Sequence, residues 1–291
     1  MKTEMRNSWL SLVVDTLGAE LKSLKKADTD LELLWQGNPQ YWKDQSPLLF
    51  PVVGGLPDDR YELNGRHYTM LQHGFAQGSE FTLVEQSDES IMLQLNDNEK
   101  TYSQYPWRFS LCVQYTLKDN CLAIGYSLHN RDDKTMLFSI GAHPGFRCPI
   151  YDNETMEDYY LLFERPETIS RRIKDGGLLT GERVPLLADE NILPLTHSLF
   201  YNDAIIINGF NSRWVELRSN KNSQVIRVEF DGFPYLGIWS AANDAPFVCI
   251  EPWYGVDSTH GDSYDLNKKE GIQTLKSGGI FNCEYRIILS I

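Results

Sequence analysis

Two of the six histidines stand in settings that suit chemistry. His143 lies in Ser139-Ile140-Gly141-Ala142-His143-Pro144-Gly145-Phe146. Pro144 biases His143 toward extended backbone and rules out a continuing helix. The flanking glycines leave space around the imidazole. A strand end of this kind presents a ring into a cleft, and a histidine that merely closes a turn reads the same. His73 opens His73-Gly74-Phe75-Ala76, where the glycine permits a sharp turn and a close ligand. A loop histidine with a satisfied hydrogen bond is the plainer alternative. His67, His129, His197 and His260 have no instructive neighbours.

Glu251 follows the apolar run Phe247-Val248-Cys249-Ile250 and precedes Pro252-Trp253. A carboxylate ending so apolar a strand is unlike an ordinary surface charge. A structural salt bridge, or a strand that has left the core, are the alternatives. Trp253 can offer an apolar wall to the C–H face of a sugar ring. Asp203, in Tyr201-Asn202-Asp203-Ala204, can orient a hydroxyl or cap the turn before Ile205-Ile206-Ile207. A histidine and a carboxylate on different strands suit general acid–base work on a polyol. There is no glycine-rich phosphate loop, GxSxG elbow or HExxH helix. The five cysteines are scattered, odd in number and form no CxxC pair. That argues for buried thiols rather than disulfides or zinc. No metal and no cofactor is expected.

Strands must position these groups, because period-2 alternation dominates the sequence. Phe109, Leu111, Val113, Tyr115 and Leu117 alternate with polar or small residues, and the pattern resumes at Leu122, Ile124, Tyr126 and Leu128. A short turn at Lys118-Asp119-Asn120 makes this a hairpin. Phe281, Cys283, Tyr285, Ile287, Leu289 and Ile291 share one face after the turn Ser277-Gly278-Gly279. Further strands are predicted over residues 9–14, 31–35, 81–85, 91–95, 136–140, 204–208, 225–230, 236–240 and 247–251. Residues 37–43 and 166–172 can hold a helical turn or two, and 147–195 reads as loops and short excursions. Many short strands without long helices predict an all-β antiparallel sandwich. With no linker or repeat, residues 1–291 are read as one domain.

The formal net charge of −13 disfavours nucleic acid, and no basic stripe overrides it. No run approaches the length of a membrane span, and Met1 to Arg6 is polar and charged. A cytoplasmic protein acting on a small molecule is the expectation, as a monomer or homodimer.

Five stretches together resemble a known family. They are Pro47-Leu48-Leu49-Phe50-Pro51-Val52-Val53-Gly54, His73-Gly74-Phe75-Ala76, residues 138–146, Asn202-Asp203-Ala204 and Cys249-Ile250-Glu251-Pro252-Trp253. Their order and spread resemble the aldose 1-epimerase (galactose mutarotase-like) superfamily, in particular its LacX-type branch of bacterial cytoplasmic proteins. The resemblance implies a β-supersandwich with an open cleft on one sheet. It implies His143 as catalytic acid, Glu251 as catalytic base, and His73 and Asp203 as sugar-binding residues. The implied reaction interconverts the α and β anomers of a free aldose by ring opening and closure.

Two positions depart from the family. Relatives often carry arginine where this chain has Gly55, and again where it has Gln77. Gln77 is thus expected at the substrate, without the charge that would favour a phosphate. Arg60 is near enough in sequence to compensate. A hexose-phosphate epimerase and a non-catalytic sugar-binding protein on the same fold are the rival readings. A retaining glycosidase would need two close carboxylates, and Glu251 is the one strong candidate.

Overall fold

The computed structural model describes residues 1–290, and its regular structure is almost wholly antiparallel strand. Fifteen strands form one continuous sheet, which curves from Leu48–Leu49 at one edge to Thr82–Gln86 at the other. A three-stranded sheet of Lys2–Arg6, Leu10–Asp15 and Glu20–Lys26 buries Leu10, Leu12 and Val14 fully. Among the described residues the α-helix is a short piece, Glu99–Gln104, started by an Asn98 cap. The all-β antiparallel expectation is met.

The predicted hairpin is the sheet's most regular part. Phe109–Lys118 and Cys121–Asn130 pair from Lys118 opposite Cys121 to Phe109 opposite Asn130 without a slip. Burial alternates along both strands, as a half-buried antiparallel pair requires. Ile280–Leu289 pairs on its other side, so these strands share one apolar face.

Several expectations need correcting. Residues 147–195 are not loops: they hold Tyr159–Asp175 and Leu178–Pro194, a long hairpin with four register shifts. Residues 166–172 belong to it and are strand rather than helix. At each bulge the paired strand gains a residue or bends, so alternation is lost from the sequence. Glu167 adds to this, being buried at an inward position where an apolar residue is expected. It accepts hydrogen bonds from the Asn211 N–H (2.9 Å), the Ser212 N–H (2.6 Å) and the Ser212 hydroxyl (2.7 Å).

Residues 31–35 form isolated bridges, not a strand. The Glu32 carboxylate takes the N–H groups of Leu24 (2.9 Å) and Leu34 (3.0 Å) that a ladder would use. Residues 37–43 make one turn on the Asn38 carbonyl and no helix. Residues 136–140 split into Met136–Phe138 and Ile140–Ala142, because the Ser139 N–H bonds the Pro51 carbonyl (2.7 Å). The strand bearing Glu251 runs on to Tyr254, so Glu251 sits inside it rather than at its end.

Candidate active site

Strand register brings His143 and Glu251 together. Ile140–Ala142 and Gly145–Arg147 both pair with Phe247–Tyr254, through Gly141 opposite Trp253 and Gly145 opposite Cys249. Both pairings keep one register, and it sets His143 opposite Glu251. Pro144 has no N–H to donate, so the ladder opens at this point. Directly opposed side chains share a face, and His143 Nε2 lies 3.1 Å from Glu251 Oε2. Glu251 is 1% exposed. The contact is too oblique to be a hydrogen bond, and both Glu251 Oε2 and His143 Nδ1 lack a partner within the described protein.

The neighbouring strand, Tyr235–Trp239, places Gly237 beside Glu251. A Cβ at Gly237 would meet the Trp253 ring at 2.7 Å, and one at Gly141 would meet it at 2.5 Å. Trp253 therefore slides between two glycines and becomes floor. It is 3% exposed and gives its Nε1–H to the Ala142 carbonyl (3.2 Å). The expected open aromatic wall is supplied instead by Trp42 and Trp239. Trp42 stacks on His143 with ring centroids 4.9 Å apart, and Trp239 meets the same imidazole edge-on at 5.6 Å.

His73 stands at the far side of His143, ring centroids 5.7 Å apart. The Gly54 N–H donates to His73 Nδ1 (3.2 Å), so the neutral ring carries its proton on Nε2. His73 and Asp203 both adopt left-handed backbone, with φ of 66° and 75°. That is uncommon for residues with a Cβ, and such strain gathers at functional sites. Asp203 Oδ1 accepts the Ala204 N–H (2.6 Å).

These groups line a cleft of about 410 Å³ that also includes Asp44, Gln72, Gln77, Lys174 and Asp257. All six predicted site residues border it. Arg60 does not: it pairs with Asp58 (2.9 Å) and Tyr264 (3.1 Å). Arg60 therefore does not bring to the cleft the charge that Gly55 and Gln77 lack. Gly55 has no room for a side chain either, since its Cβ would meet the Gly177 carbonyl oxygen at 2.7 Å.

Sequence reasoning missed Lys174, Asp257, Trp42 and Trp239. Lys174 Nζ lies 3.3 Å from Asp203 Oδ2 and 3.3 Å from Asp257 Oδ1. The turn signal Asp175-Gly176-Gly177 marks the hairpin that carries it. Asp257 has no local signal of this kind.

The electrostatics follow from burial. Burial pushes the Glu251 carboxyl well above the ordinary carboxylate range; Lys174 opposes this, while Asp257 and Asp203 add to it. Burial holds His143 well below its usual value, helped by His73 and Lys174. His73 is lowered by burial, then by Lys174 and Lys269. Burial works against the Lys174 ammonium, yet Asp257 and Asp203 hold it above its ordinary value. His143, Cys249 and Glu251 bring potential metal-ligand atoms within 4.8 Å of one another. Burial also pushes the Cys249 thiol well up, which disfavours the thiolate a metal would take.

The strand architecture is that of the galactose mutarotase-like proteins. At 34% identity and a TM-score of 0.96, the chain matches a galactose mutarotase related enzyme from Lactobacillus acidophilus, covering 100% of this chain and 98% of that one. A galactose mutarotase-like protein from Lactobacillus casei matches at 30% identity and a TM-score of 0.93 over the full length of both. The chromosomal LacX protein of Lactococcus lactis is 38% identical over 281 residues, 92% of this chain and 93% of its own. Residues 1–267 match the aldose 1-epimerase family, and the chain belongs to it. No helix among the described residues is long and apolar enough to cross a membrane.

Proposed function

We propose that the protein is an aldose 1-epimerase that interconverts the α and β anomers of a free, neutral aldose. The observation that carries this is the buried His143–Glu251 contact, with Nε2 and Oε2 3.1 Å apart at the cleft floor. Ionised Glu251 takes the proton of the anomeric hydroxyl while protonated His143 gives one to the ring oxygen. The C1–O5 bond breaks, the aldehyde forms, and rotation about C1–C2 exposes its other face. Closure returns both protons with the roles reversed. The pair thus holds one proton in two arrangements, an ion pair before opening and a neutral pair after it. Burial favours the neutral arrangement; Lys174 favours the Glu251 carboxylate and works against the protonated imidazole. Each group thus serves in turn as acid and as base, as reversible acid–base catalysis needs.

The charge of the cleft supports a free sugar over a phosphorylated one. Asp44, Asp203, Glu251 and Asp257 line it, and Lys174 alone represents lysine or arginine among the described residues that line it. That lysine already faces two carboxylates. Trp42 and Trp239 offer apolar faces for sugar C–H groups. The test is a panel of freshly dissolved aldoses, free and 6-phosphorylated, followed for anomer exchange by NMR or polarimetry. Acceleration of a free aldose with none of its phosphate is expected. Acceleration of the phosphate alone would overturn the substrate reading, and acceleration of none would overturn the activity.

A further inference from the structure

The cation of the cleft arrives from far away in sequence and is anchored there. Lys174 sits just before the Gly176-Gly177 tip of the long hairpin. The tip is tied down by the Leu179 N–H on the Ser258 carbonyl (2.9 Å) and the His260 N–H on the Leu179 carbonyl (2.8 Å). The Ser258 N–H bonds the Gly55 carbonyl (3.0 Å), and the Gly55 N–H bonds Asp257 Oδ1 (2.9 Å). The tip, Gly55 and Asp257 are therefore one knot, and Lys174 leaves it toward Asp203.

Its side chain is 5% exposed, and Asp203 Oδ2 and Asp257 Oδ1 each lie 3.3 Å from Nζ. A buried lysine is costly to hold unless its charge is matched, and two carboxylates match this one. An ammonium has three N–H groups, so a third remains beyond these two contacts. Asp203 is gripped on both oxygens, by the Ala204 N–H on Oδ1 and by Lys174 on Oδ2.

We propose that Lys174 is a positioning residue for the isomerisation: it fixes the Asp203 carboxylate for a sugar hydroxyl and sets an anchored ammonium in the same cleft as the acid–base pair. This rests on the mutarotase reading above. It gives the cleft, from the tip of the long hairpin, the cation that Gly55 and Gln77 do not provide. The groups facing Glu251 are His143 across the ladder, Lys174, Asp203 and Asp257 in the cleft, and Cys249 on its own strand.

The experiment compares wild type, Lys174→Met and Lys174→Arg on the aldose that wild type turns over, measuring kcat, KM and the pH profile. In Lys174→Met, KM is expected to rise about tenfold, and the acidic limb of kcat/KM to move up by roughly one pH unit, as loss of a neighbouring opposite charge predicts. Lys174→Arg keeps the charge and is expected to restore most of both. A folded Lys174→Met with wild-type kcat/KM and an unmoved limb overturns the proposal. Should that variant fail to fold, Lys174→Met/Asp257→Asn removes the buried pair together. It is expected to lose about tenfold in kcat/KM through the loosened Asp203, and wild-type kcat/KM there overturns the proposal equally. A wild-type protein that accelerates no aldose removes the mutarotase reading itself; an active wild type with an equally active lysine variant removes only Lys174.

Discussion

Two hairpins of the same sheet are built on opposite terms. Phe109–Asn130 pairs without a slip and buries Leu111, Val113, Leu122 and Ile124 on one face. It touches no part of the cleft. Tyr159–Pro194 slips four times and buries Glu167 and Arg172. Its tip delivers Lys174 to the cleft. Regular pairing spreads apolar contacts evenly and gives a scaffold. Bulged pairing re-aims side chains, and here its buried charges are matched one by one. Arg172 donates to both oxygens of Glu270 (2.6 and 2.7 Å), as Glu167 accepts from residues 211 and 212.

Substitutions in the two hairpins should therefore separate stability from activity. Glu167→Leu leaves the buried Ser212 N–H and hydroxyl unpaired, and at about 1–3 kcal/mol for each buried orphan it should cost roughly 2–6 kcal/mol. Activity per folded molecule should fall with it, because the strand that carries Lys174 shifts. Leu117→Ala in the regular hairpin should cost about 2–5 kcal/mol and leave kcat/KM per folded molecule unchanged. Denaturant melts beside anomer-exchange rates read both. Equal activity loss in the two variants would erase the contrast.

A smaller effect is expected where the irregular hairpin meets the loop at residue 55. Gly55→Arg drives a side chain into the Gly177 carbonyl. Overpacking of this kind costs about 1–3 kcal/mol, and the displaced tip should raise KM for the free sugar. If the variant instead gained activity on a 6-phosphate, the cleft would have room for a phosphate-binding cation after all.

The smallest effect concerns burial of charge against burial of apolar groups. Burial raises the Glu251 carboxyl, so the folded protein binds a proton there that the unfolded chain releases above about pH 4.3. Its contribution therefore becomes more destabilising as pH rises from that value toward the folded pKa. Glu251→Gln escapes this, and its Tm relative to wild type should climb between acid and neutral pH. Leu117→Ala should show a pH-independent difference. A Glu251→Gln advantage that shrank as pH rose would show that the carboxyl is instead stabilised as an anion.

The same contrast governs what the sequence reveals. The regular hairpin is legible because its apolar period is unbroken. His143 and Glu251 are legible because a proline-glycine frame and an apolar run set them off. Their pairing is not, since it depends on register between strands more than a hundred residues apart. The long hairpin is illegible because Glu167 occupies an inward position and bulges reset the period. Lys174 is hidden with it. Trp253 illustrates a subtler limit: its place beside the cleft is readable, but glycines on two other strands turn it from wall to floor. Residues 31–35 look like strand by composition, yet Glu32 takes the backbone bonds locally.

The central claim is that His143 and Glu251, as an acid–base pair, open and close the sugar ring. The direct test is the anomer-exchange rate of Glu251→Gln against wild type at neutral pH, with folding checked by circular dichroism. A folded variant slower by about 10²–10⁴-fold, the usual worth of a positioned acid–base group, is the predicted result. A folded Glu251→Gln that exchanges anomers at the wild-type rate would contradict it.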